Sequence, residues 1–334
     1  MITMKEIGKI AGVSQPTVSA VLNNKDYCYV SEAKKKLVIE TAHKMGYVPN
    51  LNSRALLGLS TKTIGICSSL FSVSVNTKLI SDVTHEIWKH GYQTLLGDTL
   101  AQKEKEEELI REFLSRGVDA LILSCFREKG ELEAIMDRKI PIVIIAQSEI
   151  SNYGYSTVHI NKRKGGFLAT EHLIRHGHEN IAFVTTDLNP NLSKFKGACD
   201  AFEATGINRE NLILIDGKID ELPAKSLKLI SDKKVKAFFA SNDIIAAKLI
   251  KFFQQNGLNL PEDAAVIGFD GLEWGEFLNP SLTTVVQPVE ELAVEMVELL
   301  MEKIRGPEKD SKKHISVEPS LMIGNSCGCR KGRV

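Results

Sequence analysis

The sequence has no apolar run long enough to cross a membrane. A membrane-spanning helix needs about 20 consecutive apolar residues, and polar or charged residues interrupt every apolar stretch of this 334-residue chain well before that length. The opening residues, MITMKEIGKIAG, also lack the apolar core of a secretory signal peptide. We therefore expect a cytoplasmic protein with no membrane partner.

Cysteine is sparse, and its six residues are scattered over the chain. Several lie in apolar, strand-like runs such as TIGICSSL and ALILSCF, a pattern typical of reduced and mostly buried thiols. One short spacing occurs, CGC at 327–329, and no further cysteine or histidine stands beside it in the sequence. The pattern predicts no metal or redox site there.

The chain also lacks the motifs of common enzyme classes: G-x-S-x-G, GxxxxGK[ST], G-x-G-x-x-G and H-E-x-x-H are all absent. His172 and His176 have the i, i+4 spacing of metal ligands. They close a predicted helix just before Gly177, however, where histidine interacts favourably with the helix dipole. We interpret both as structural, and we predict a protein that is not an enzyme and holds no metal or cofactor.

What the chain does have is an asymmetry of charge beneath a net charge of zero. Residues 1–62 hold eight lysines and one arginine against four acidic residues, a surplus of five positive charges, and the remainder holds 33 basic against 38 acidic residues. A small basic segment on an acidic body is typical of a module that binds a polyanion. The alternative is a solvated basic face, which charge alone would favour.

Two short helices joined by a tight turn are predicted at the start of the basic segment. The first ends at Ala11, because Gly12 breaks it, and Ser14 is a good N-cap for the second, QPTVSAVLN. Pro16 then falls in the first turn of the second helix, where backbone amides have no intrahelical partner. The turn of about three residues is that of a helix-turn-helix. The predicted apolar face of the first helix comprises Met4, Ile7, Ile10, Ala11 and Val13.

A third helix, capped by Ser31, completes a predicted unit of about 45 residues with one small core. The second helix is polar on its outer face, at Gln15, Thr17 and Ser19, and these side chains suit base edges and phosphates. With the charge asymmetry, the pattern predicts DNA binding. The predicted buried face of the third helix comprises Ala33, Leu37, Ile39 to Ala42 and Met45.

The next segment, YVPNLNSRALLGLSTKT, can form a helix of about two turns, begun by a proline and ended by a glycine. Such a short helix is marginal in water, so we expect it to fray until something packs against it. Arg54 and the exposed pair Leu56 and Leu57 fit a minor-groove element, with arginine in a narrow groove and leucine wedged between base steps. The alternative is an ordinary interdomain linker.

Several stretches carry a resemblance to a known family. KEIGKIAGVSQPTVSAVLN, GYVPN, SRALL, GGFLATEHLIRHGHENIAFV, ASNDIIAAKLI and VIGFDGLEWGEFLNPSLTTVVQPVEEL follow in order over nearly the whole chain. In them the chain resembles the lactose-repressor (LacI/GalR) family of bacterial transcription regulators. The resemblance implies a dimeric operator-binding protein whose hinge helices insert leucines at the centre of a palindromic DNA site; by motif position the inserted leucine is Leu56.

The resemblance also places the main base-reading positions at Gln15, Pro16 and Ala20. Proline offers no side-chain hydrogen bond and alanine only an apolar contact, which leaves Gln15 as the polar reader, with adenine as its natural partner. The full set of predicted DNA contacts is Thr3, Ser14, Gln15, Pro16, Thr17, Ser19, Ala20, Asn23, Asn50, Ser53, Arg54 and Leu56.

From Thr63 onward, continuous apolar strands alternate with amphipathic helices, which indicates parallel sheets covered on both faces. The pattern restarts at NIAFVTT, so two similar α/β subdomains are expected. The resemblance adds a periplasmic-binding-protein-like fold of two doubly wound parallel-sheet subdomains, with the chain crossing between them more than once. Helices are predicted near 76–90, 103–116, 130–138, 191–205, 222–232, 242–256 and 288–306.

These elements predict a small all-α helix-turn-helix head joined to an α/β body. The head spans 1–48, a hinge helix and linker span 49–62, and the effector-binding and dimerisation domain spans 63–334. Within the body, we expect an N-subdomain of about 63–158 and 288–316 and a C-subdomain of about 159–287 and 317–326.

Ligands of such sheets bind beyond the carboxyl ends of the strands. Short polar groups stand there, and on burial they suit a hydroxyl-rich small molecule, because each unpaired hydroxyl would cost roughly 1–3 kcal/mol. For Asn242 the alternative is a plain helix cap. The predicted effector contacts are Ser69, Phe71, Gln147, Lys194, Asn242, Asp270 and Gln287, with Ser68 and Asp243 as further strand-end candidates.

Two positions depart from the family pattern. Ala146 and Gln147 stand where the family often has an acidic residue and an arginine, and Lys194 stands where it commonly has arginine. Lysine keeps the charge but loses the planar fork for bidentate hydrogen bonds, so the family's ligands do not transfer. We expect a repressor controlled by a small molecule, with a sugar or sugar derivative as the favoured class. We also expect a dimer rather than a tetramer, since the ending SLMIGNSCGCRKGRV is too short and glycine-broken for the family's tetramer helix. A free-standing solute receptor is the alternative.

Overall fold

The structure is a computed structural model that describes residues 2–23, 30–48, 51–69, 74–124, 132, 140–146, 154–186, 193–232, 235–306 and 312–329. It divides into two compact units, Met1–Thr61 and Lys62–Val334, which are taken separately below. No helix of the described residues is long and apolar enough to cross a membrane.

The described residues of the first unit form four short helices. They are α1 (Met4–Ala11), α2 (Gln15–Leu22), α3 (Glu32–Lys44) and α4 (Leu51–Leu56). The predicted ends of α1 and α2 are confirmed: Gly12 adopts the left-handed conformation that ends α1, and Ser14 caps α2 by accepting a hydrogen bond from the Thr17 amide. Ser31 caps α3 in the same way through the amide of Lys34.

The core of this unit is small, as expected for its length. It is formed by Ile7, Ala11, Val18, Val21, Val38 and Ala42, all of which are buried. The predicted face of α3 is wrong in part, because Leu37 and Ile39 are 43% and 53% exposed while Val38 is fully buried. Val38, Thr41, Ala42 and Met45 form the i, i+3, i+4, i+7 stripe that meets the core, and Leu37 and Ile39 flank it. In α1, Ile10 is likewise exposed, contrary to prediction.

Strands and helices alternate along the second unit. The strands are β1 (Thr63–Ser68), β2 (Gln93–Asp98), β3 (Ala120–Leu123), β4 (Ile142–Ile145), β5 (Ser156–Ile160), β6 (Ile181–Thr185), β7 (Leu212–Asp216), β8 (Ala237–Ala240), β9 (Ala265–Asp270), β10 (Thr283–Val286), β11 (His314–Val317) and β12 (Ser320–Met322). The helices are α5 (Ser74–Lys89), α6 (Lys103–Ser115), α7 (Lys162–Arg175), α8 (Ser193–Thr205), α9 (Leu222–Ser231), α10 (Asp243–Gln255) and α11 (Val289–Arg305). The helix predicted near 130–138 lies outside the described residues except for Leu132.

The strands form two six-stranded sheets, as the two predicted βα arrays imply. The first sheet has the order β11-β5-β4-β3-β1-β2, and all its pairs are parallel. The second has the order β12-β10-β9-β8-β6-β7, parallel except where β12 runs against β10. Most of the central strands are buried along their full length, which explains their continuous apolar sequences.

The chain crosses between the sheets after β5, after β10 and after β11. Two predicted subdomain boundaries, at 158 and 316, fall inside β5 and β11, because each strand runs past the predicted crossing point. The return of α11 to the first sheet agrees with the prediction: its apolar face shares one core with α5, and Lys78 on α5 forms an ion pair with Glu290 on α11 at 2.8 Å.

Helices α7 and α8 are packed closely enough to need glycine at their contact. A Cβ atom added at Gly166 would lie 2.0 Å from the carbonyl oxygen of Lys194, and one added at Gly197 would lie 1.8 Å from that of Arg163. Two backbones this close leave no room for a side chain between them. The contact fixes the first turns of both helices, which carry Lys162 and Lys194, relative to each other.

Candidate functional site

The outer end of α2 is exposed at Ser14, Gln15 and Pro16. The Ser14 hydroxyl accepts a hydrogen bond from the Thr17 amide at 3.3 Å and lies 2.8 Å from the Thr17 hydroxyl. Pro16 falls in the first turn, as predicted, so its missing N–H breaks no helical hydrogen bond. The two hydroxyls are therefore engaged in the cap, and Gln15 remains the long polar side chain at this end of the helix.

Ala20, the third predicted base-reading position, is a buried residue of α2. Its side chain is only 6% exposed. At the end of the same helix, the Asn23 side-chain amide donates to the Ser19 carbonyl at 2.7 Å. The end of α2 is held by its own polar side chains, and the thymine-methyl contact of Ala20 stays a prediction.

Thr3 forms a capping box with Glu6 at the start of α1. The Thr3 amide and hydroxyl both donate to the Glu6 carboxylate, at 2.7 and 2.8 Å, and the Glu6 amide donates back to the Thr3 hydroxyl at 3.4 Å. The hydrogen bonds from the Thr3 amide and then its hydroxyl lower the pKa of Glu6. Thr3 is thus a structural cap, and its DNA contact stays a prediction.

Helix α4 is formed over six residues, shorter than the predicted two turns. Arg54 donates from Nε to the Ser60 carbonyl at 2.9 Å, and its Nη1 contacts the side-chain oxygen of Asn23. Leu57 is 74% exposed, as predicted, and Ser53 is exposed. Asn50 and the side chain of Leu56 lie outside the described residues.

In the body, the strand order places the candidate ligand site. In each sheet, successive strands lie on opposite sides of the first strand: β2 and β3 flank β1 in one sheet, and β7 and β8 flank β6 in the other. This makes a topological switch point between β1 and β3 and between β6 and β8. Sheets of α/β proteins bind ligands at such points, outside the carboxyl ends of the strands. Ser68 ends β1, and within the described part of the chain its buried hydroxyl has no hydrogen-bond partner. Ser69 follows it and is half-buried. Phe71 and Gln147 lie outside the described residues.

Asp270 and Gln287 come together at the ends of β9 and β10. The Gln287 side-chain amide donates to Asp270 Oδ1 at 2.6 Å, and the Asp270 side chain is almost wholly buried. Burial raises the pKa of Asp270 to about 6 against the opposing attraction of Lys194. Asp270 also has a φ of 141°, a strained conformation for a residue with a side chain, and such strain often accompanies function.

Two lysines face this carboxylate. Lys194 donates from Nζ to the Ser241 carbonyl at 2.6 Å and lies 3.8 Å above the centre of the Phe269 ring. Burial, followed by repulsion from Lys194, lowers the pKa of Lys162 to about 8. Lys194 was predicted, whereas Lys162 was missed. The available signal was its position directly after β5, where the chain passes from the first sheet to the second.

Asn242 and Asp243 have different roles from each other. The side-chain oxygen of Asn242 accepts a hydrogen bond from the Ile245 amide at 2.8 Å, which confirms the helix-cap alternative for this oxygen. The side-chain NH2 group of Asn242 is the part that a ligand could contact. Asp243 is fully buried and accepts from the Thr284 hydroxyl and the Leu272 amide. Burial raises the pKa of Asp243 despite these hydrogen bonds. Asp243 therefore joins α10 to the sheet and is a structural residue.

The geometry thus combines an exposed helix-turn-helix end in one unit with a polar strand-edge site in the other. Residues 3–50 match the family described as bacterial regulatory proteins, lacI family, and residues 170–327 match the periplasmic binding protein-like domain. The HTH-type transcriptional repressor PurR of Vibrio parahaemolyticus is 30% identical to this chain over 334 residues, which cover 98% of each sequence. The chain belongs to the lacI family of bacterial regulatory proteins.

Solved structures agree with this membership. The lac repressor dimer bound to operator and the anti-inducer ONPF matches with a TM-score of 0.83 at 20% identity, over 98% of this chain and 99% of that one, which shows the shared fold. The transcriptional regulator CelR in complex with cellobiose matches with a TM-score of 0.68 at 26% identity, over 98% and 100%. This lacI-family chain is a DNA-binding transcription regulator and not an enzyme, and the predicted fold class is confirmed.

Proposed function

We propose that this lacI-family protein represses transcription by binding a palindromic operator as a homodimer, under the control of a small molecule bound between its two sheets. The observation that carries the proposal is the Asp270, Gln287, Lys162 and Lys194 group at the strand ends of a chain that also has an exposed recognition helix. Because a transcription regulator must reach the chromosome, we propose that the protein acts in the bacterial cytoplasm.

The exposed start of helix α2 supports a recognition mode in which few side chains form hydrogen bonds to DNA bases. Of the exposed residues at its start, Gln15 alone has a long side chain with both a donor and an acceptor, the pair that fits adenine. Ser14 and Thr17 hydroxyls already hold the helix cap. Specificity then depends on a few base contacts, on the hinge segment and on DNA shape.

The strand-edge site supports a small molecule rich in hydroxyl groups. Asp270 and Gln287 offer acceptors and donors side by side, which is how a pair of adjacent sugar hydroxyls is bound. The two lysines favour a molecule that also carries a carboxylate or phosphate. We therefore propose a sugar derivative, with sugar acids and sugar phosphates ahead of neutral sugars.

Exposed apolar residues on the body support dimerisation. Trp88 and Phe277 are 64% and 85% exposed, and Leu96 is 47% exposed on the edge strand β2. Burying such apolar side chains against a second copy of the chain would remove their apolar surface from water and so favour association. A dimer places two heads on half-sites related by two-fold symmetry.

The control of DNA binding would follow from closure of the body around the effector. A ligand that contacts both sheets prefers one relative orientation, and it shifts the population only by its difference in affinity for the two states. That orientation sets the spacing of the two hinge segments, which are too short to persist as isolated helices.

The test is a two-part binding experiment on the purified full-length protein. Fluorescence anisotropy with fragments of bacterial genomic DNA should find specific sites whose affinity falls steeply as salt rises. A thermal-shift screen of neutral sugars, sugar acids, sugar phosphates and nucleosides should then find one class that raises the melting temperature, and that class should change operator affinity. Ligand binding without any salt-dependent DNA binding would favour the solute-receptor alternative and overturn the proposal.

A further inference from the structure

Four potential metal ligands come together at the end of α7, on the second sheet and away from the strand-edge site. One ligand atom from each of His172, His176 and Cys329 lies within 4.8 Å of the others. Cys327 joins them, with its Sγ 3.4 Å from His172 Nε2 and 2.8 Å from Cys329 Sγ. The prediction that CGC has no histidine beside it holds along the sequence and is wrong in space.

The segment that carries the cysteines is anchored by buried hydrogen bonds. The Ser326 hydroxyl donates to the Val266 carbonyl at 2.6 Å and accepts from the Thr283 amide at 2.9 Å. Between the cysteines, Gly328 has a φ of 76°, a left-handed conformation that favours glycine, and this turn brings both sulfurs to the same side. The two thiols are therefore held against α7 by the fold around them.

The histidines are arranged as metal-binding histidines usually are. His176 Nδ1 lies 2.7 Å from the His172 carbonyl oxygen and must donate to it, which leaves Nε2 of the neutral ring with its lone pair available. His172 directs Nε2 towards Cys327.

A further hydrogen bond supports one of the sulfurs. The Thr283 hydroxyl accepts from the Gly324 amide at 2.9 Å and donates to Cys327 Sγ at 3.1 Å. A hydroxyl that donates to a sulfur stabilises the thiolate form, which is the form that binds metals. The cluster thus has both its ligands and the polar contacts that orient them.

We propose that His172, His176, Cys327 and Cys329 bind one zinc ion as a structural site. Zn–S bonds of about 2.3 Å and Zn–N bonds of about 2.0–2.1 Å place neighbouring ligand atoms of a tetrahedron roughly 3.3–3.8 Å apart. The His172–Cys327 separation of 3.4 Å meets this directly, and the two sulfurs, at 2.8 Å, need to part by about 1 Å. Two thiolates and two imidazoles in tetrahedral arrangement select zinc among common metals.

The role of the ion follows from what it joins. Four protein ligands close the coordination shell, so the site leaves no open position for catalysis. It fastens residues 327–329 to the last turn of α7, the helix whose first turn carries Lys162. Zinc binding would therefore stabilise the second sheet and the helix that reaches the effector site. This inference stands whether or not the proposed effector class is right.

The experiment uses full-length protein purified without a polyhistidine tag under reducing conditions and stripped with a chelator. Zinc content is measured by mass spectrometry, affinity by competition with a chromophoric chelator, and geometry by Co²⁺ titration. We expect one zinc per chain, thiolate-to-cobalt charge transfer with the intense visible bands of tetrahedral Co²⁺, and a higher melting temperature with zinc.

The variants are Cys329→Ser and His176→Gln, with Cys199→Ser and His85→Ala as matched controls. Cys199 Sγ donates to the Phe195 carbonyl at 3.0 Å, a hydrogen bond that serine can also make, and His85 is exposed on α5. Loss of a ligand should weaken zinc binding by more than the 10- to 100-fold, roughly, that an outer-shell change costs, while the controls keep wild-type affinity.

Three results would overturn the proposal. The first is zinc bound equally well by wild type and by the Cys329→Ser variant. The second is octahedral Co²⁺ without charge transfer from thiolate. The third is protein that, isolated without reductant, contains a Cys327–Cys329 disulfide and that, after the disulfide is reduced, still binds no zinc. Since His176 lies at the surface end of α7, the His176→Gln variant keeps the test valid even if the cysteine variant fails to fold.

Discussion

Gln287 donates a hydrogen bond to Asp270 over 2.6 Å and so joins the carboxyl ends of two neighbouring strands. The bond gives the buried carboxylate a neutral partner, while Lys194 and Lys162 supply its positive surroundings. An acceptor and a donor fixed side by side can bind two adjacent polar groups of one ligand without ordering either side chain at the moment of binding. The burial of this carboxylate is the basis of the first prediction.

Replacing Asp270 by asparagine should change how stability depends on pH. Because its pKa in the folded protein is about 6 and about 3.9 when unfolded, the folded state binds the extra proton between these values. The stability contributed by this group is therefore fully present below about pH 4 and lost as the pH rises through about 6, by about 3 kcal/mol in total.

Urea denaturation of both proteins at about pH 3.5 and about pH 7, on either side of that window, measures the effect. Wild type should lose stability relative to Asp270→Asn as the pH rises. An unchanged difference between the two proteins would show that Asp270 is not buried as the structure has it. Effector affinity should fall in the same variant, because the amide replaces one acceptor by a donor.

The substitution Lys162→Met should weaken effector binding at least about tenfold and leave the fold intact or slightly more stable. Methionine has a similar length, and the burial that lowers the pKa of Lys162 shows that the charge is costly in place. Isothermal titration with the ligand found in the screen measures affinity. Lys164→Met, an exposed lysine two residues away, is the control; an equal loss in both would remove Lys162 from the site.

The substitution Gln15→Ala should relax preference at one base pair in each half-site. A good bidentate contact to a base is worth about 1–3 kcal/mol of discrimination, so the preferred base should lose most of its advantage while other positions keep theirs. Specificity profiling on a randomised operator library measures this. Gln102→Ala, on the exposed surface of the body, serves as the control, and an unaltered profile for Gln15→Ala would refute the assignment.

Leu56→Ala should weaken specific operator binding by at least about tenfold, which is about 1.4 kcal/mol, and leave effector affinity nearly unchanged. The reason is that a smaller side chain no longer wedges between base steps. Leu214→Ala is the control, since Leu214 is a leucine of the body that is 40% exposed. Equal operator affinity for Leu56→Ala and wild type would exclude the wedge.

Gly166→Ala should destabilise the body and disturb the position of Lys194. The added methyl would lie 2.0 Å from a carbonyl oxygen on α8, so the two helices must move apart, at a cost of about 1–3 kcal/mol or more. Urea midpoints and effector titration measure both effects. Gly306→Ala, where the nearest atom is 3.8 Å away, is the control; equal stability of both variants would contradict the close packing of α7 and α8.

Local patterns in the sequence were sufficient for much of the fold. Continuous apolar strands, caps such as Ser14 and Ser31, and the proline in the first turn of α2 each depend on neighbours within a few residues, so they are readable from the chain itself. Sequence alone also pointed to Asp270 and Gln287, because polar residues that follow apolar strands must lie at the sheet edge. Lys194 came from the family resemblance instead, as the residue standing where the family commonly has arginine.

Where several sides of a helix are apolar, only packing decided which side is buried. Val38, and neither Leu37 nor Ile39, meets the small core, since the other two helices approach from one direction. The burial of Ala20 is likewise a result of packing that the sequence pattern of α2 does not show. Periodicity limits these choices without selecting one of them.

Groups far apart in the chain came together only in the tertiary structure. Lys162 faces Asp270 because the chain passes from one sheet to the other immediately before it. His172 meets Cys327 across 155 residues of sequence because the final described segment lies along the second sheet beside α7. Each residue type was visible in the sequence, but its chemistry depends on distances of a few ångströms, and those are set by the packing of whole elements.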